Sequence, residues 1–295
     1  MVKAVVFAYH NIGVKALKVL LKHNINVSLV LTHEDNPNER IWFDSVKALA
    51  QKKGLKVITP VDPNQHKIIK KIKQAKPDFI FSFYYRHMLS EDILKLAKRG
   101  AYNLHGSLLP KYRGRVPINW AIIHGENETG ATLHVMTKKP DQGDIVAQKA
   151  VPIHIDDTAK DVFDRVTEAA IKALDDVLPK LIKGKAPHHK QKLSEGSYFS
   201  GRKAEDGQIN WAASSLTIHN LVRAVAPPYP GAFTFVNGQK LTILRTSLKA
   251  TNDAIAKTLG GDNTPLYILA LELDGQPLDG DEFKKRFPKG IRPDC

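Results

Sequence analysis

The chain opens with Met1-Val2-Lys3-Ala4-Val5-Val6-Phe7-Ala8-Tyr9-His10-Asn11-Ile12-Gly13, a short apolar run that gives way to polar residues. β-Branched and aromatic residues at Ala4–Phe7 predict a strand, and the amphipathic residues after Gly13 predict a helix. A strand followed by a helix is the repeating unit of α/β proteins with a parallel sheet. The turn between them supplies one of the three glycines that bind a dinucleotide, so an NAD or FAD enzyme is disfavoured.

Similar units fill the first 150 residues, which indicates an α/β fold with a Rossmann-like, mostly parallel sheet. The predicted strands are Ala4–Phe7, Val27–Leu31, Val57–Ile58, Ile80–Phe83, Ala101–Leu104 and Thr132–Met136. The predicted helices are Gly13–His23, Trp42–Lys53, His66–Gln74, Ser90–Ala97 and the long Thr158–Lys183. Pro179 lies inside the last pattern, so we expect it to kink that helix or end it early.

The pattern changes near residue 200. Glycine and proline mark residues 184–200 as a linker. A helix is predicted at Ser215–Val225, a hairpin around Asn237-Gly238, and a further strand at Leu266–Leu273. We therefore predict a domain at 1–200 that includes the linker, and a smaller, mostly-β domain at 201–295.

The composition is that of a packed globular protein, with 42% hydrophobic and 25% charged residues. The longest apolar stretches, such as Val27–Thr32 and Phe79–Phe83, are far shorter than the about 20 residues that span a bilayer. The start lacks the features of a signal peptide, so we expect a cytoplasmic protein with no membrane partner. Cys295 is the single cysteine, which excludes an intrachain disulfide and a cysteine-based metal cluster.

The net charge of +14 lies mainly in the N-terminal third. Residues 1–100 hold 18 basic and 8 acidic side chains, a net +10, whereas residues 101–200 and 201–295 each carry +2. Most of the excess is lysine at helical surface spacing with few aromatic residues between, which favours a solvated face over a nucleic-acid site. A small substrate that carries phosphate would also suit a basic protein.

The stretch Asn103-Leu104-His105-Gly106-Ser107-Leu108-Leu109-Pro110-Lys111-Tyr112-Arg113-Gly114-Arg115 is the richest in chemistry. Asn103 and His105 share one face at the carboxyl end of a predicted strand, where α/β sheets bind their ligands. An amide that donates to an oxyanion, next to an imidazole that moves protons, suits acyl transfer. A structural hydrogen-bonded pair is the alternative interpretation.

Pro140-Asp141-Gln142-Gly143-Asp144 is a second polar cluster, just after the strand Thr132–Met136. If Asp141 packs near His105, its carboxylate would stabilise the protonated imidazole; the alternative is an ordinary turn. The histidines are scattered and no His-Glu-x-x-His is present, so we predict no metal site.

These motifs together resemble the signature of the 10-formyltetrahydrofolate-dependent formyltransferases. Within that family the chain resembles the formyltransferase domain of the bifunctional polymyxin-resistance enzyme, which formylates UDP-4-amino-4-deoxy-L-arabinose for lipid A modification. The likeness covers roughly residues 1–248. The motifs that carry it are Asn103–Pro110, Asp141–Asp144, Phe7–His10, Thr32–Pro37, Phe81–His87 and Lys111–Arg115.

The resemblance implies the formyltransferase fold and 10-formyltetrahydrofolate as co-substrate, with no metal. It implies that Asn103 holds the oxyanion, His105 acts as general acid and base, and Asp141 supports His105. It also implies an OB-like C-terminal barrel. The polar segment Ala250–Thr264 departs from the family by predicting a loop, so we expect that barrel to be shortened. The implied folate contacts are His87, Met88, Leu89, Arg115, Thr137, Lys138, Lys139, Pro140 and Asp141.

The implied acceptor is a nucleotide-linked 4-amino sugar, with Arg202 and Arg223 as candidate diphosphate ligands because guanidinium groups bind phosphate bidentately. Other UDP- or dTDP-linked 4-amino-dideoxyhexoses are alternatives, as are glycinamide ribonucleotide formyltransferase and a non-catalytic binding module. Methionyl-tRNA formyltransferase is disfavoured because Glu34, Asp35 and Glu39 occupy the place of its basic insertion. The oligomeric state stays open, a homo-oligomer included.

Overall fold

The computed structural model describes residues 1–36 and 41–291. Pro37, Glu39 and Cys295, which enter the sequence arguments, lie outside the described residues. The chain forms two compact units that interleave along the sequence. Unit 1 contains Met1–Gly114, Thr129–Val151 and Arg165–Phe199, and unit 2 contains Arg115–Glu128, Pro152–Asp164 and Ser200–Cys295. The predicted domain bounds of 1–200 and 201–295 stay a prediction.

Unit 1 is built on a seven-stranded sheet. Its strands and one short pair are β1 Lys3–Ala8, β2 Asn26–Leu31, β3 Val57–Ile58, β4 Phe79–Phe83, β5 Gly100–His105, β6 Arg113–Gly114, β7 Glu128–Val135, β8 Ile145–Pro152 and β9 Tyr198–Phe199. The sheet order is β3-β2-β1-β4-β5-β7-β8, while β6 pairs with β9. The first five strands in this order, β3, β2, β1, β4 and β5, are parallel, and β7 runs antiparallel to β5. This confirms the predicted mostly parallel Rossmann-like sheet.

Helices cover the sheet because their apolar faces need burial. The helices of the chain up to residue 182 are α1 His10–Lys22, α2 Val46–Lys52, α3 His66–Ala75, α4 Glu91–Leu94, α5 Pro117–Ile123 and α6 Ala159–Ile182. In α3 and α4, Ile72 and Ile93 pack in one cluster with Val5 and Phe7 of β1. On α1, Lys22 pairs with Asp175 of α6 at 2.9 Å. No helix in the described ranges is both long and apolar enough to cross a membrane.

One predicted boundary in this part of the chain was wrong, one of two expected effects of a proline does not occur, and two elements were not predicted. Helix α2 begins at Val46 instead of Trp42, because the Ser45 hydroxyl caps it by accepting from the Ala48 N–H at 3.2 Å. Of the two effects expected of Pro179, the early end does not occur, because α6 continues to Ile182 with buried neighbours such as Leu178, and the kink stays a prediction. Strand β8 and helix α5 were not predicted.

The predicted linker at 184–200 is bound to unit 1. Ile145 and His189 form an isolated β-bridge, and Tyr198–Phe199 pairs with Arg113–Gly114. The segment therefore reaches the loop that carries the chemistry-bearing residues.

Unit 2 contains an antiparallel sheet packed on helices. Its elements after residue 214 are α7 Ser215–Val225, β10 Ala232–Val236, β11 Gln239–Ser247, β12 Ala256–Leu259, β13 Pro265–Leu273, β14 Gln276–Pro277 and α8 Gly280–Arg286. The strand order is β10-β11-β13-β12, with β14 beside β13. Its core joins Ile218 and Val222 of α7 to Leu241, Ile243 and Ile268 of the sheet.

The hairpin prediction is confirmed, since Asn237 and Gly238 join β10 to β11 with φ angles of 53° and 75°. The prediction that Ala250–Thr264 is a loop was wrong. It contains β12, which pairs with β13 and exposes Lys257 and Leu259. A half-exposed edge strand rich in polar residues looks like a loop in the sequence.

Candidate active site

The pairing of β5 with β7 gathers four polar side chains on one face of the sheet. Asn103 lies directly opposite His134, and His105 lies opposite Thr132. Opposite residues of an antiparallel pair project to the same side, and so do residues two apart on one strand. Sequence reasoning missed His134, although Thr132-Leu133-His134 repeats the alternation that singled out Asn103 and His105.

Asp141 reaches this face from the loop after β7, in a left-handed backbone conformation with φ of 54°. The Gln191 side-chain amide fixes the loop by donating to the carbonyl oxygens of Asp141 and Gly143, at 2.9 and 2.7 Å. The Gly114 N–H donates to Oδ2 of Asp141 at 2.9 Å. Gly114 itself has φ of +99°, and a Cβ there would lie 2.1 Å from the Phe199 carbonyl oxygen, so the position requires glycine.

The Asp141 carboxylate faces two histidines. Its Oδ1 lies 3.6 Å from Nδ1 of His105 and 3.3 Å from Nε2 of His134. Burial alone would raise the pKa of Asp141, but the two histidines and the Gly114 N–H outweigh burial and hold that pKa well below its usual range. Asp141 is therefore ionised at neutral pH.

His105 is 7% exposed and has its tautomer set by the backbone. Its Nε2 donates to the Tyr112 carbonyl oxygen at 2.8 Å, because a carbonyl can only accept. Nδ1 is therefore the nitrogen that can gain or lose a proton, and it is the one that faces Asp141. The structure thus brings together the three residues predicted for acyl transfer.

The turn that follows His105 is fixed by buried hydrogen bonds. The Thr132 hydroxyl donates to the Ser107 carbonyl oxygen at 2.7 Å and accepts from the Leu109 N–H at 3.2 Å. Gln148 donates to the same hydroxyl at 2.8 Å. These contacts hold the backbone close to the face that carries Asn103 and His105.

A cleft of about 390 Å³ in unit 1 contains three of the predicted folate contacts, Met88, Leu89 and Lys138. Its lining residues are Asn64, Met88, Leu89, Ser90, Glu91, Asp92 and Lys138. Lys138 belongs to the same loop as Asp141, so this cleft borders the loop that supplies the carboxylate. Thr137 and Lys139, also predicted folate contacts, are exposed there with Lys138, and Pro140 is partly buried.

The Asn64 side chain fixes the backbone at Met88 and Ser90, which line this cleft, and this residue was not predicted from the sequence. The Asn64 amide nitrogen donates to the Met88 carbonyl oxygen at 3.0 Å, and its oxygen accepts from the Ser90 N–H at 2.8 Å. His87, the remaining predicted contact of this segment, stacks on His33 with ring centroids 5.1 Å apart. Burial and the nearby His87 and Arg86 lower the pKa of His33 to about 4, so His33 is neutral.

The three arginines of the prediction belong to unit 2. Arg115 is exposed. Arg202 lies over the Trp120 ring at 4.7 Å and donates to the Asp206 carbonyl oxygen at 2.6 Å. Arg223 is 5% exposed, and one of its nitrogens donates to the carbonyl oxygens of His154 and Asp157, each at 3.1 Å. Arg223 therefore braces a loop of its own unit, and its role as a diphosphate ligand stays a prediction.

Within residues 1–36 and 41–291, no group of three or more His, Cys, Asp or Glu side chains is arranged to hold a metal ion.

Sequence profiles identify the family. The profile of the formyl transferases matches residues 3–178, and that of the formyl transferase C-terminal domain matches residues 202–287. The chain belongs to the formyl transferase family. The first match contains Asn103, His105, His134 and Asp141, and the second contains most of unit 2.

The formyl transferase is also similar in fold to solved structures, each less than 25% identical. An N-formyltransferase from Helicobacter canadensis, in complex with folinic acid and dTDP-3-aminofucose, is 23% identical; the match covers 94% of this chain and 100% of that one, with a TM-score of 0.75. A 4-N formyltransferase from Francisella tularensis is 22% identical, covering 81% and 94%, with a TM-score of 0.64. HypX from Aquifex aeolicus is 18% identical, covering 99% of this chain and 49% of that one, with a TM-score of 0.65.

Proposed function

We propose that this formyl transferase moves the formyl group of 10-formyltetrahydrofolate to the amine of a nucleotide-linked 4-amino sugar, with UDP-4-amino-4-deoxy-L-arabinose as the first candidate. The observation that carries the proposal is the convergence of Asn103, His105 and ionised Asp141 on one face of the sheet. Similar folds include a structure whose complex contains folinic acid and a dTDP-linked amino sugar, and a 4-N formyltransferase. The first supports a nucleotide-linked amino sugar as acceptor, and the second supports transfer to a 4-amine.

The geometry suits addition to a formyl carbon followed by loss of the folate. The sugar amine attacks that carbon, and an N–H of Asn103 donates to the oxyanion that forms. Nδ1 of His105 accepts the proton that the amine loses and returns it to N10 of the folate as the C–N10 bond breaks. Asp141 stabilises the imidazolium between these two proton transfers.

The substrates would bind to the residues predicted from the sequence. In unit 1, His87–Leu89 and Thr137–Asp141 would contact the folate, beside the cleft that Met88 and Lys138 line. The other ligands predicted from the sequence are Arg115 for the folate and Arg202 and Arg223 for the diphosphate. The protein would work in the cytoplasm, without a metal, and the product would enter lipid A or another surface glycan.

One observation favours a second sugar class. The complex from Helicobacter canadensis contains a 3-amino sugar linked to dTDP, so another UDP- or dTDP-linked amino-dideoxyhexose is the alternative acceptor. The face of the sheet that carries Asn103 and His105 would serve either amine equally.

The test is mass spectrometry of reactions that contain the purified protein, 10-formyltetrahydrofolate and one acceptor at a time. The acceptors are UDP-4-amino-4-deoxy-L-arabinose, dTDP-linked 3-amino and 4-amino sugars, and methionyl-tRNA. Asn103→Ala is the control for background transfer, and His66→Gln, at an exposed position, is the matched control for handling. A formyl mass increment on the UDP sugar supports the first candidate, and one on another sugar moves the acceptor. Formylation of tRNA alone, or of nothing, overturns the proposal.

A further inference from the structure

A buried histidine stands beside the three residues of the proposed transfer without a part in it. His134 is 2% exposed. The side chains that contact it or face it are Asn103 and His105 from β5 and Asp141 from the loop after β7. Polar side chains are buried at a cost unless hydrogen bonds compensate, so the bonds of His134 indicate what it does.

The hydrogen bonds of His134 define its tautomer. Its Nδ1 lies 2.9 Å from the carbonyl oxygen of Val135, which can only accept, so Nδ1 carries the hydrogen. With its hydrogen on Nδ1, the ring presents a lone pair at Nε2, which lies 3.2 Å from the side-chain nitrogen of Asn103.

This bond decides the orientation of the Asn103 amide. The oxygen and nitrogen ends of an amide have nearly the same shape, so hydrogen-bond partners choose between its two orientations. His134 draws the nitrogen end toward the cluster of His134, Asp141 and His105. One amide N–H is used in this bond, and the second stays at the same end of the side chain.

We infer that His134 is a positioning residue for the proposed transfer, holding the donor end of Asn103 toward the oxyanion. The inference rests on the proposed function, because it names the residue that orients the oxyanion donor of that same reaction. His134 itself touches neither the reacting atoms nor the folate in this scheme.

Asp141 faces both His105 and His134, but a proton supports the proposed transfer only when it is on His105. A proton on Nδ1 of His105 leaves Nε2 of His134 free to accept from Asn103. A proton on Nε2 of His134 would instead be donated to Asp141, 3.3 Å away, and Asn103 would lose its acceptor. Charged His134 would therefore release the amide and occupy the carboxylate that His105 needs.

Two variants test this role. His134→Ala removes the acceptor, whereas Gln can place a carbonyl oxygen near the position of Nε2 and does not titrate. Loss of an oxyanion donor costs about 100-fold to 1,000-fold in kcat, so a donor that is present but misaligned should cost about 10-fold to 100-fold. We expect that loss in His134→Ala, with KM for both substrates within about twofold and at least fivefold recovery of kcat in His134→Gln.

Rescue by the conservative variant separates positioning from structure. His134→Gln should restore kcat because its carbonyl oxygen can accept from Asn103, whereas a purely structural role of the imidazole would leave both variants equally impaired. If a folded His134→Ala protein keeps its kcat within about twofold, or if the Gln variant behaves like the Ala variant at every pH, the inference is overturned.

A second measurement needs no acceptor, so it stays decisive if the proposed function fails. Nitrogen-15 spectra of the histidine rings, assigned by comparison with His134→Gln, should show the ring hydrogen of His134 on Nδ1 and a lone pair on Nε2. Spectra of Asn103→Ala should show a change at the Nε2 signal of His134. A hydrogen on Nε2, or an Nε2 signal that Asn103→Ala leaves unchanged, would overturn the inference whatever the enzyme formylates.

Discussion

Nδ1 of His105 lies 3.6 Å from Oδ1 of Asp141, and both side chains are nearly buried. The carboxylate is held by the Gly114 N–H on its other oxygen, so it cannot swing away from the imidazole without breaking that bond. Because the pKa of Asp141 is well below its usual value near 4, the ionised carboxylate stabilises the fold above about pH 4. That contribution is lost as the pH falls further.

Asp141→Asn should lower kcat by about 10-fold to 100-fold, because a neutral amide no longer stabilises the imidazolium that His105 forms during the transfer. The amide oxygen can still accept from the Gly114 N–H, so the loop should keep its shape. The measurement is kcat at neutral pH, with Asp144→Asn as the matched control in the same loop. A kcat that stays within about twofold of the wild-type value would separate Asp141 from the chemistry of His105.

His105→Ala should lower kcat by about 100-fold to 10,000-fold, the usual contribution of a general acid or base. Folate binding should change by less than about threefold, since His105 is not among the residues that line the cleft. Single-turnover formylation measures the first effect and calorimetric titration with folinic acid the second. Unchanged turnover would exclude the acid–base role, and lost folate binding would indicate a local structural defect.

Much of this arrangement could be predicted from single strands and turns. Asn103 and His105 are two apart on one strand, and Asn237-Gly238 fixes a hairpin by its own backbone preference, so both needed only local sequence. The mostly parallel sheet likewise followed from the alternation of strands and helices.

The rest depended on contacts between distant segments. His134 meets Asn103 only through the antiparallel register of β7 on β5, which no local pattern specifies. Asn64 pins Met88 and Ser90 from 24 and 26 residues away. β12 was missed because its polar edge residues carry a weak strand signal.

Asn64→Asp should raise KM for the folate about fivefold to tenfold while kcat changes little. The substitution replaces a donor by a second acceptor facing the Met88 carbonyl oxygen, and an unpaired polar contact of this kind costs about 1–3 kcal/mol. Steady-state kinetics with the folate varied would measure it, with Asn252→Asp at an exposed position of unit 2 as the matched control. A fall in kcat at unchanged KM would show that Asn64 serves the reacting face instead of the cleft.

His219 should make unit 2 sensitive to acid. It is 2% exposed, donates from Nε2 to the Ile155 carbonyl oxygen and accepts at Nδ1 from the Thr246 hydroxyl, each at 2.8 Å. Burial lowers the pKa of His219 from 6.5; Arg223 reinforces this effect, whereas Ile155 and Asp156 oppose it. Below about pH 6.5 the unfolded chain therefore binds a proton that the folded chain does not. The stability contributed by neutral His219 is full above that pH and falls as the pH drops toward the pKa of the folded state.

His219→Gln should cost about 1–2 kcal/mol of stability at pH 8 through an imperfect hydrogen bond, yet lose less stability than the wild type between pH 8 and pH 5.5. Urea unfolding at the two pH values measures both effects, with exposed His66→Gln as the control, and an equal loss in wild type and His219→Gln would assign the acid sensitivity to other groups.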